Sequence, residues 1–170
     1  MDFKIRSVTR KDISIIANIK VNSGYKIYDL EPTSVNIQKQ KISKRMKDGN
    51  KYFIGEFKGK PIAVVTIKNP KKKFYIKNKF ILFKEIKPSG EFLGLYILKK
   101  YHNNKFGQIL TKYILCLFKE FGYSYVSCIA WEKNFKSLNM LYSIGFKFIG
   151  VEPNHFNNGD YAKIFTIKLI

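Results

Sequence analysis

Chemistry in this 170-residue chain concentrates in one polar stretch, His102-Asn103-Asn104-Lys105-Phe106-Gly107-Gln108. It lies between the apolar run Leu95-Tyr96-Ile97-Leu98 and an apolar helical pattern. A strand that feeds a short polar loop and then a helix aims several unpaired backbone N–H groups at one spot. The positive end of the helix dipole adds to them, so the spot attracts an anion. Two groups could move protons. Glu91 opens the strand, and the two-residue period puts it on the face of Leu93, Leu95 and Ile97. A carboxylate there can accept a proton or simply end the strand in solvent. Tyr142 offers a weakly acidic phenol that can deliver a proton. It also falls on a helical stripe with Phe135 and Leu138, which suits a core role.

The remaining reactive side chains point to less. His102 and His155 are the only histidines, and neither has metal-ligand spacing with the other or with a cysteine. We expect no metal site and no Ser/His/Asp arrangement. His102 can bond a phosphate or cap its own loop, and His155 reads as a turn residue. Cys116 lies in an apolar helix and Cys128 in an apolar strand, so both are expected as buried free thiols. That chemistry suits a reducing cytoplasm.

The elements around these residues follow from periodicity and breakers. Residues 3–7 read as a strand, closed by Thr9-Arg10-Lys11-Asp12, with Thr9 or Asp12 able to cap a helix carrying Ile15, Ile16 and Ile19. A second helix is expected from about Ser34 to Met46, stopping at Gly49. The linker at 25–32 holds two tyrosines and the acids Asp29 and Glu31. Apolar runs at 52–57 and 61–68 flank Lys58-Gly59-Lys60, a hairpin signal. The central strand spans 91–98. Phe106, Ile109, Leu110, Tyr113, Ile114, Leu117, Phe118 and Phe121 form an unbroken helical stripe. A strand at 123–131, a helix from Asn134 to about Ser143 and closing strands at 146–151 and 161–170 complete the order. Asn157-Asn158-Gly159-Asp160 supplies the last turn. The result is an α/β chain in the order β-α-α-β-β-β-α-β-α-β-β, read as a single domain over 1–170.

Composition narrows the class. Hydrophobic content of 45% and aromatic content of 16% support a packed globule. No run is long enough to span a bilayer, and the N-terminus lacks the apolar core of a signal peptide. The formal charge is +20, but arginine occurs only at Arg6, Arg10 and Arg45, so nearly all of the 32 basic residues are lysine. Arginine is the usual residue for bidentate contacts to nucleic acid. The charge therefore fits a solvated lysine surface from a biased composition, or a polyanionic partner. The stretch 69–90 has seven lysines, one acid and four interleaved aromatics. It reads as a long hairpin arm with a lysine-coated face, or as a basic-aromatic binding surface.

The block at 95–110, followed by Trp131-Glu132-Lys133-Asn134-Phe135-Lys136-Ser137 and Ile144-Gly145-Phe146, resembles the GCN5-related N-acetyltransferase (GNAT) superfamily. Within it, the Trp-Glu-Lys-Asn stretch and the His155, Phe156, Gly159, Asp160 segment are similar to the PaiA-type polyamine acetyltransferases. The resemblance implies a mixed, mostly antiparallel twisted sheet flanked by helices, with acetyl-CoA as cosubstrate. It implies that the backbone of Leu95, Tyr96 and Ile97 pairs with the pantetheine arm. His102, Asn103, Asn104, Lys105, Phe106, Gly107 and Gln108 would cradle the pyrophosphate, with Asn134 and Ser137 also on the cofactor. Asn134 is equally the expected N-cap of its helix. The family loop keeps Arg or Gln at position 102 and Gly at 105. Here Lys105 puts a side chain where the backbone approaches the pyrophosphate, and its charge either replaces the lost contact or obstructs it. Glu91 matches a position where some members keep a base glutamate. The family's acid tyrosine falls at Leu141, one residue before Tyr142.

The expected activity is transfer of acetyl to a primary amine, on a small molecule or a peptide, by direct attack in a ternary complex. Glu91 would be the base and Tyr142 the acid. The alternatives are a nucleic-acid- or ribosome-associated basic module on the same fold, and an acyl-CoA-binding protein with little turnover.

Overall fold

The computed structural model describes residues 2–24, 34–69, 89–156 and 158–170. Among these the elements are β1 (Phe3–Ser7), α1 (Ile13–Asn22), α2 (Val35–Lys47), β2 (Lys51–Phe57), β3 (Lys60–Ile67), β4 (Gly90–Ile97), α3 (Phe106–Glu120), β5 (Tyr125–Trp131), α4 (Phe135–Ile144), β6 (Lys147–Glu152) and β7 (Ala162–Lys168). That is the order expected from the sequence. The strands form a seven-stranded sheet in the order β1-β2-β3-β4-β5-β7-β6. The ladders β1/β2, β2/β3, β5/β7 and β6/β7 are antiparallel, and β4/β5 is parallel. The linker 25–32 and nearly all of the basic stretch 69–90 lie outside the described residues. No described helix is long and apolar enough to cross a membrane.

The chain divides into two compact units, residues 1–69 with 94–111 and residues 70–93 with 112–170. In the first, Lys58 (φ 49°) and Gly59 (φ 70°) both take the left-handed conformation that a tight hairpin needs, joining β2 to β3. The β3 residues Ile62 to Ile67 are buried throughout, as a branched apolar run would be. Ile16, Ala17 and Ile19 of α1 and Ile42 of α2 pack with Tyr52, Ile54 and Val64, with Tyr96 and Leu98 beside them. Each buried isoleucine contributes about 1.5–3 kcal/mol. A polar clamp secures the chain between β1 and α1. Arg6 bonds Asp12 at 2.8 Å and Glu56 at 2.8 Å, and the Thr9 backbone N–H donates to Asp12 at 2.9 Å. The Arg6 bonds hold the Asp12 carboxyl well below its ordinary value of 3.8, at about 2. The capping role expected of Thr9 or Asp12 falls on a short 3-10 turn, Arg10–Asp12, ahead of α1.

In the second unit, α3 contributes Ile114 and Phe118 to the core. The stripe stops there: Phe121 is exposed, because α3 ends at Glu120. Gly122 then turns left-handed at φ 79°, and the Tyr123 N–H returns to the Phe118 carbonyl at 3.0 Å. Tyr123 is thereby spent on the cap, so β5 starts two residues later than expected. Cys116 is exposed, not buried as expected, because it stands off the Ile114–Phe118 face; Cys128 is buried. Phe135 is also off the expected core stripe, 69% exposed in the first turn of α4. Leu138 and Leu141, three residues apart, are buried instead.

β4 contributes to both units. Its parallel ladder with β5 has only the pairs Gly90↔Val126, Glu91↔Ser127 and Phe92↔Cys128. β5 continues to Trp131, paired there with β7.

Candidate active site

The candidate residues fall in two groups, one in each unit. In the first unit, β4 passes through a 3-10 turn, Lys99–Tyr101, into the loop and then α3. The turn is closed by the Tyr101 N–H on the Leu98 carbonyl at 2.8 Å and the His102 N–H on the Lys99 carbonyl at 3.2 Å. The His102 ring reaches back, with Nε2 donating to the Ile97 carbonyl at 2.9 Å. Asn104 in turn donates to the His102 carbonyl at 3.0 Å. His102 thus caps its own loop, one of its two expected uses.

The backbone of the loop is the informative part. Asn103 has φ 64° and Lys105 φ 60°. Asparagine visits this left-handed region readily; lysine does so at a cost of about 1–2 kcal/mol. Lys105 therefore holds the kind of backbone conformation glycine adopts freely, at the position where the family pattern has glycine. The Lys105 carbonyl accepts from the Ile109 N–H at 3.1 Å, so α3 starts immediately after it. The first-turn N–H groups of α3 have no partner within the helix. Phe106 anchors the turn, buried against Phe3 (4.7 Å between ring centroids) and Phe57 (5.3 Å). Asn103, Asn104 and Lys105 are exposed, and Gly107 and Gln108 are half-buried. On β4, Leu95, Tyr96 and Ile97 are half-buried, and Lys20 Nζ stands 4.7 Å over the Tyr96 ring. Left-handed residues followed by a helix start, with cationic Lys105 among them, form a donor set that fits a pyrophosphate.

In the second unit, Glu91 sits across from Ser127 in the β4/β5 ladder, with Oε2 buried. Burial first, and then the Glu91 charge, pushes the Cys128 thiol far up. Cys128 is therefore a packing residue and not a nucleophile. Asn134 is the N-cap of α4, its side chain accepting from the Ser137 N–H at 3.2 Å. Leu141 is 3% exposed and belongs to the core, whereas Tyr142 is 52% exposed and meets the Phe165 ring edge-on at 5.3 Å. The one-residue offset has thus put the phenol at the surface and the leucine inside. His155 pairs with Glu152 at 3.0 Å in the connection between β6 and β7.

Sequence reasoning missed the hub of this unit, Asp160. Its carboxylate accepts from Trp131 Nε1 at 2.8 Å, Lys133 Nζ at 2.7 Å and Asn158 Nδ2 at 2.8 Å. The Lys133 bond leads in holding the Asp160 carboxyl below its ordinary value. The hub joins the two segments that carried the resemblance to polyamine acetyltransferases. A half-buried indole N–H in need of an acceptor was the available signal.

Comparison with known proteins decides the family. A model of the acetyltransferase (GNAT) family matches residues 21–146. This chain belongs to the GNAT family. Acetyl-CoA is the cosubstrate of GNAT enzymes. No curated protein matches the sequence. Among solved structures, the chain is similar to a spermidine N-acetyltransferase from Vibrio cholerae in complex with CoA and spermine. That pair has a TM-score of 0.74 and 18% identity, over 99% of this chain and 96% of the other. It is also similar to yncA, a putative acetyltransferase from Salmonella typhimurium with its cofactor acetyl-CoA. The TM-score there is 0.72 at 13% identity, over 100% and 95%. Ard1 from Thermoplasma volcanium gives 0.73 at 14%, over 100% and 99%. At these identities the likeness shows the fold.

Proposed function

We propose that the whole chain is one acetyltransferase domain that transfers acetyl from acetyl-CoA to a primary amine, on a small molecule or a peptide, within a ternary complex. The observation that carries this reading is the left-handed backbone at Lys105 directly before α3. It preserves the anion loop although the glycine is gone. Bound acetyl-CoA supplies a thioester-activated acetyl group. The backbone of Leu95, Tyr96 and Ile97 pairs with the pantetheine arm, and the loop from His102 to Gln108 holds the pyrophosphate through N–H groups and the Lys105 ammonium. Asn134 and Ser137 complete the binding from the start of α4. Glu91 takes a proton from the acceptor ammonium, directly or through water, so that a neutral amine can attack. Tyr142 returns a proton to the departing sulfur. Both cysteines are free thiols, which suits the cytoplasm.

The acceptor is a matter of charge. A protein of +20 repels polycations at long range, so a polyamine acceptor requires a local acidic pocket. Calorimetry should show a preference for acetyl-CoA and CoA over ATP. Thiol release measured across a panel of amines should then give turnover with at least one. Absence of CoA binding at millimolar ligand would overturn the reading. Binding without thiol release would leave an acyl-CoA-binding protein.

A further inference from the structure

The connection from β5, which ends at Trp131, to α4 is three residues, Glu132 to Asn134, and one carboxylate holds both flanks of Glu132. Asp160 Oδ2 accepts from the Trp131 indole at 2.8 Å and from the Asn158 amide at 2.8 Å, while Oδ1 accepts from the Lys133 ammonium at 2.7 Å. Next to this clamp, the Glu132 N–H donates to the Tyr161 carbonyl at 3.3 Å, and the Tyr161 N–H donates to Glu132 Oε1 at 3.5 Å. The held segment ends at Asn134, whose N–H donates to the Trp131 carbonyl at 3.0 Å and whose side chain caps α4.

The charges make this connection stiff. Bonds from an ammonium and an indole to a carboxylate are short and stronger than neutral ones. The Asp160 side chain is 14% exposed, whereas Lys133 is 56% exposed. Three donors bond the carboxylate and tie it to the protein on both oxygens, so Asp160 acts through the segment it holds.

We propose that Asp160 is a positioning residue for the acyl donor: by holding Trp131 and Lys133 it sets the place of Asn134 and of the first turn of α4. This rests on the acetyltransferase reading, in which Asn134 and Ser137 bind the cofactor. It adds that the β6–β7 connection and the start of α4 respond to the donor together.

Trp131 is the only tryptophan in the chain, so its emission reports on the clamp. Acetyl-CoA titrated into the wild-type protein should change that emission. Asp160→Ala should change the unliganded emission, as the indole loses its acceptor. It should also weaken acetyl-CoA binding in calorimetry roughly tenfold, the scale of one lost hydrogen bond to a charged group. Asp160→Asn keeps an acceptor for the indole and should fall between, and Asp160→Glu should restore part of the affinity. Lys133→Gln, at an exposed side chain, should weaken binding about two- to threefold; with Asp160→Asn it carries the test if Asp160→Ala does not fold. A purely structural role would lower the melting temperature and leave acetyl-CoA affinity intact in every variant that folds. That result, with the wild-type protein binding normally, overturns the positioning role alone. Failure of the wild-type protein to bind acetyl-CoA overturns the acetyltransferase reading, and the positioning role with it.

Discussion

The loop before α3 and the second half of α4 depart from their family's pattern in opposite ways. At the loop the side chain departs from the pattern while the backbone suits glycine: Lys105 stands where the pattern has glycine and takes a left-handed φ of 60°. In α4 the departure is in where the phenol sits along the helix. Leu141, at the tyrosine position, is buried in the core, and Tyr142 turns outward at 52% exposed. Binding by N–H groups depends on the course of the chain, so on the proposed reading it would survive a substitution whose strain the surrounding packing can hold. Proton delivery depends on one oxygen at the end of one side chain. A step of one residue rotates it by about 100° around the helix.

The largest expected effect tests the side-chain half of this contrast. Glu91→Gln and Tyr142→Phe should each lower kcat by about 100-fold, the lower range for a general acid or base, with acetyl-CoA affinity unchanged. The Glu91→Gln loss should be greatest at low pH, where the amine most needs help losing its proton. Leu141→Tyr in the Tyr142→Phe background asks whether the family register can be restored. Full activity in Tyr142→Phe would remove the phenol from the mechanism.

The backbone half is tested at position 105. Lys105→Pro fixes φ near −65° and deletes the N–H, so acetyl-CoA affinity should fall at least tenfold while the rest of the fold persists. Lys105→Ala and Lys105→Gly both remove the ammonium, but only alanine keeps the strain. Both should weaken binding by about 1–2 kcal/mol if the charge replaces the lost glycine contact. Tighter binding in the glycine variant would mean that the lysine obstructs the site. Glycine should also raise thermal stability relative to alanine by about 1 kcal/mol.

The smallest expected effect lies away from the site, at Asp12. Its folded pKa of about 2 lies below the ordinary 3.8. The stabilisation is therefore complete above about pH 4 and is lost as pH falls through 2, amounting to about 2 kcal/mol. Asp12→Asn should flatten that limb of an acid unfolding curve. It should leave acetyl-CoA affinity unchanged at neutral pH, which separates fold stability from loop geometry.

Much of this was legible before the structure. The helical stripe from Phe106 to Phe118, the Lys58-Gly59 hairpin and the element order follow from local periodicity and turn chemistry, and local rules are what a single sequence displays. The capping of α4 by Asn134 was equally local. The φ of Lys105 was not legible, because lysine is a residue from which no left-handed turn is inferred. The clamp at Asp160 joins residues 29 and 27 positions apart, and no short-range pattern records such a pairing. The outward turn of Cys116 was missed because apolar residues surround it in sequence, while burial selects one face of the helix.

Gly90 is half of a coupled pair. A Cβ built there would lie 2.3 Å from Cδ1 of Phe118, a ring with no exposed surface. The ring cannot yield as a flexible chain end would, so alanine at 90 overpacks the core at a cost of about 1–3 kcal/mol. A smaller residue at 118 makes the room but leaves a cavity of its own while 90 is glycine, so each single change costs stability that the pair together can recover. Descendants of this sequence, natural or made in a library, therefore pass through a less stable single variant by either route. Mutational scans that change one position at a time will report 90 as closed when it is only waiting on 118.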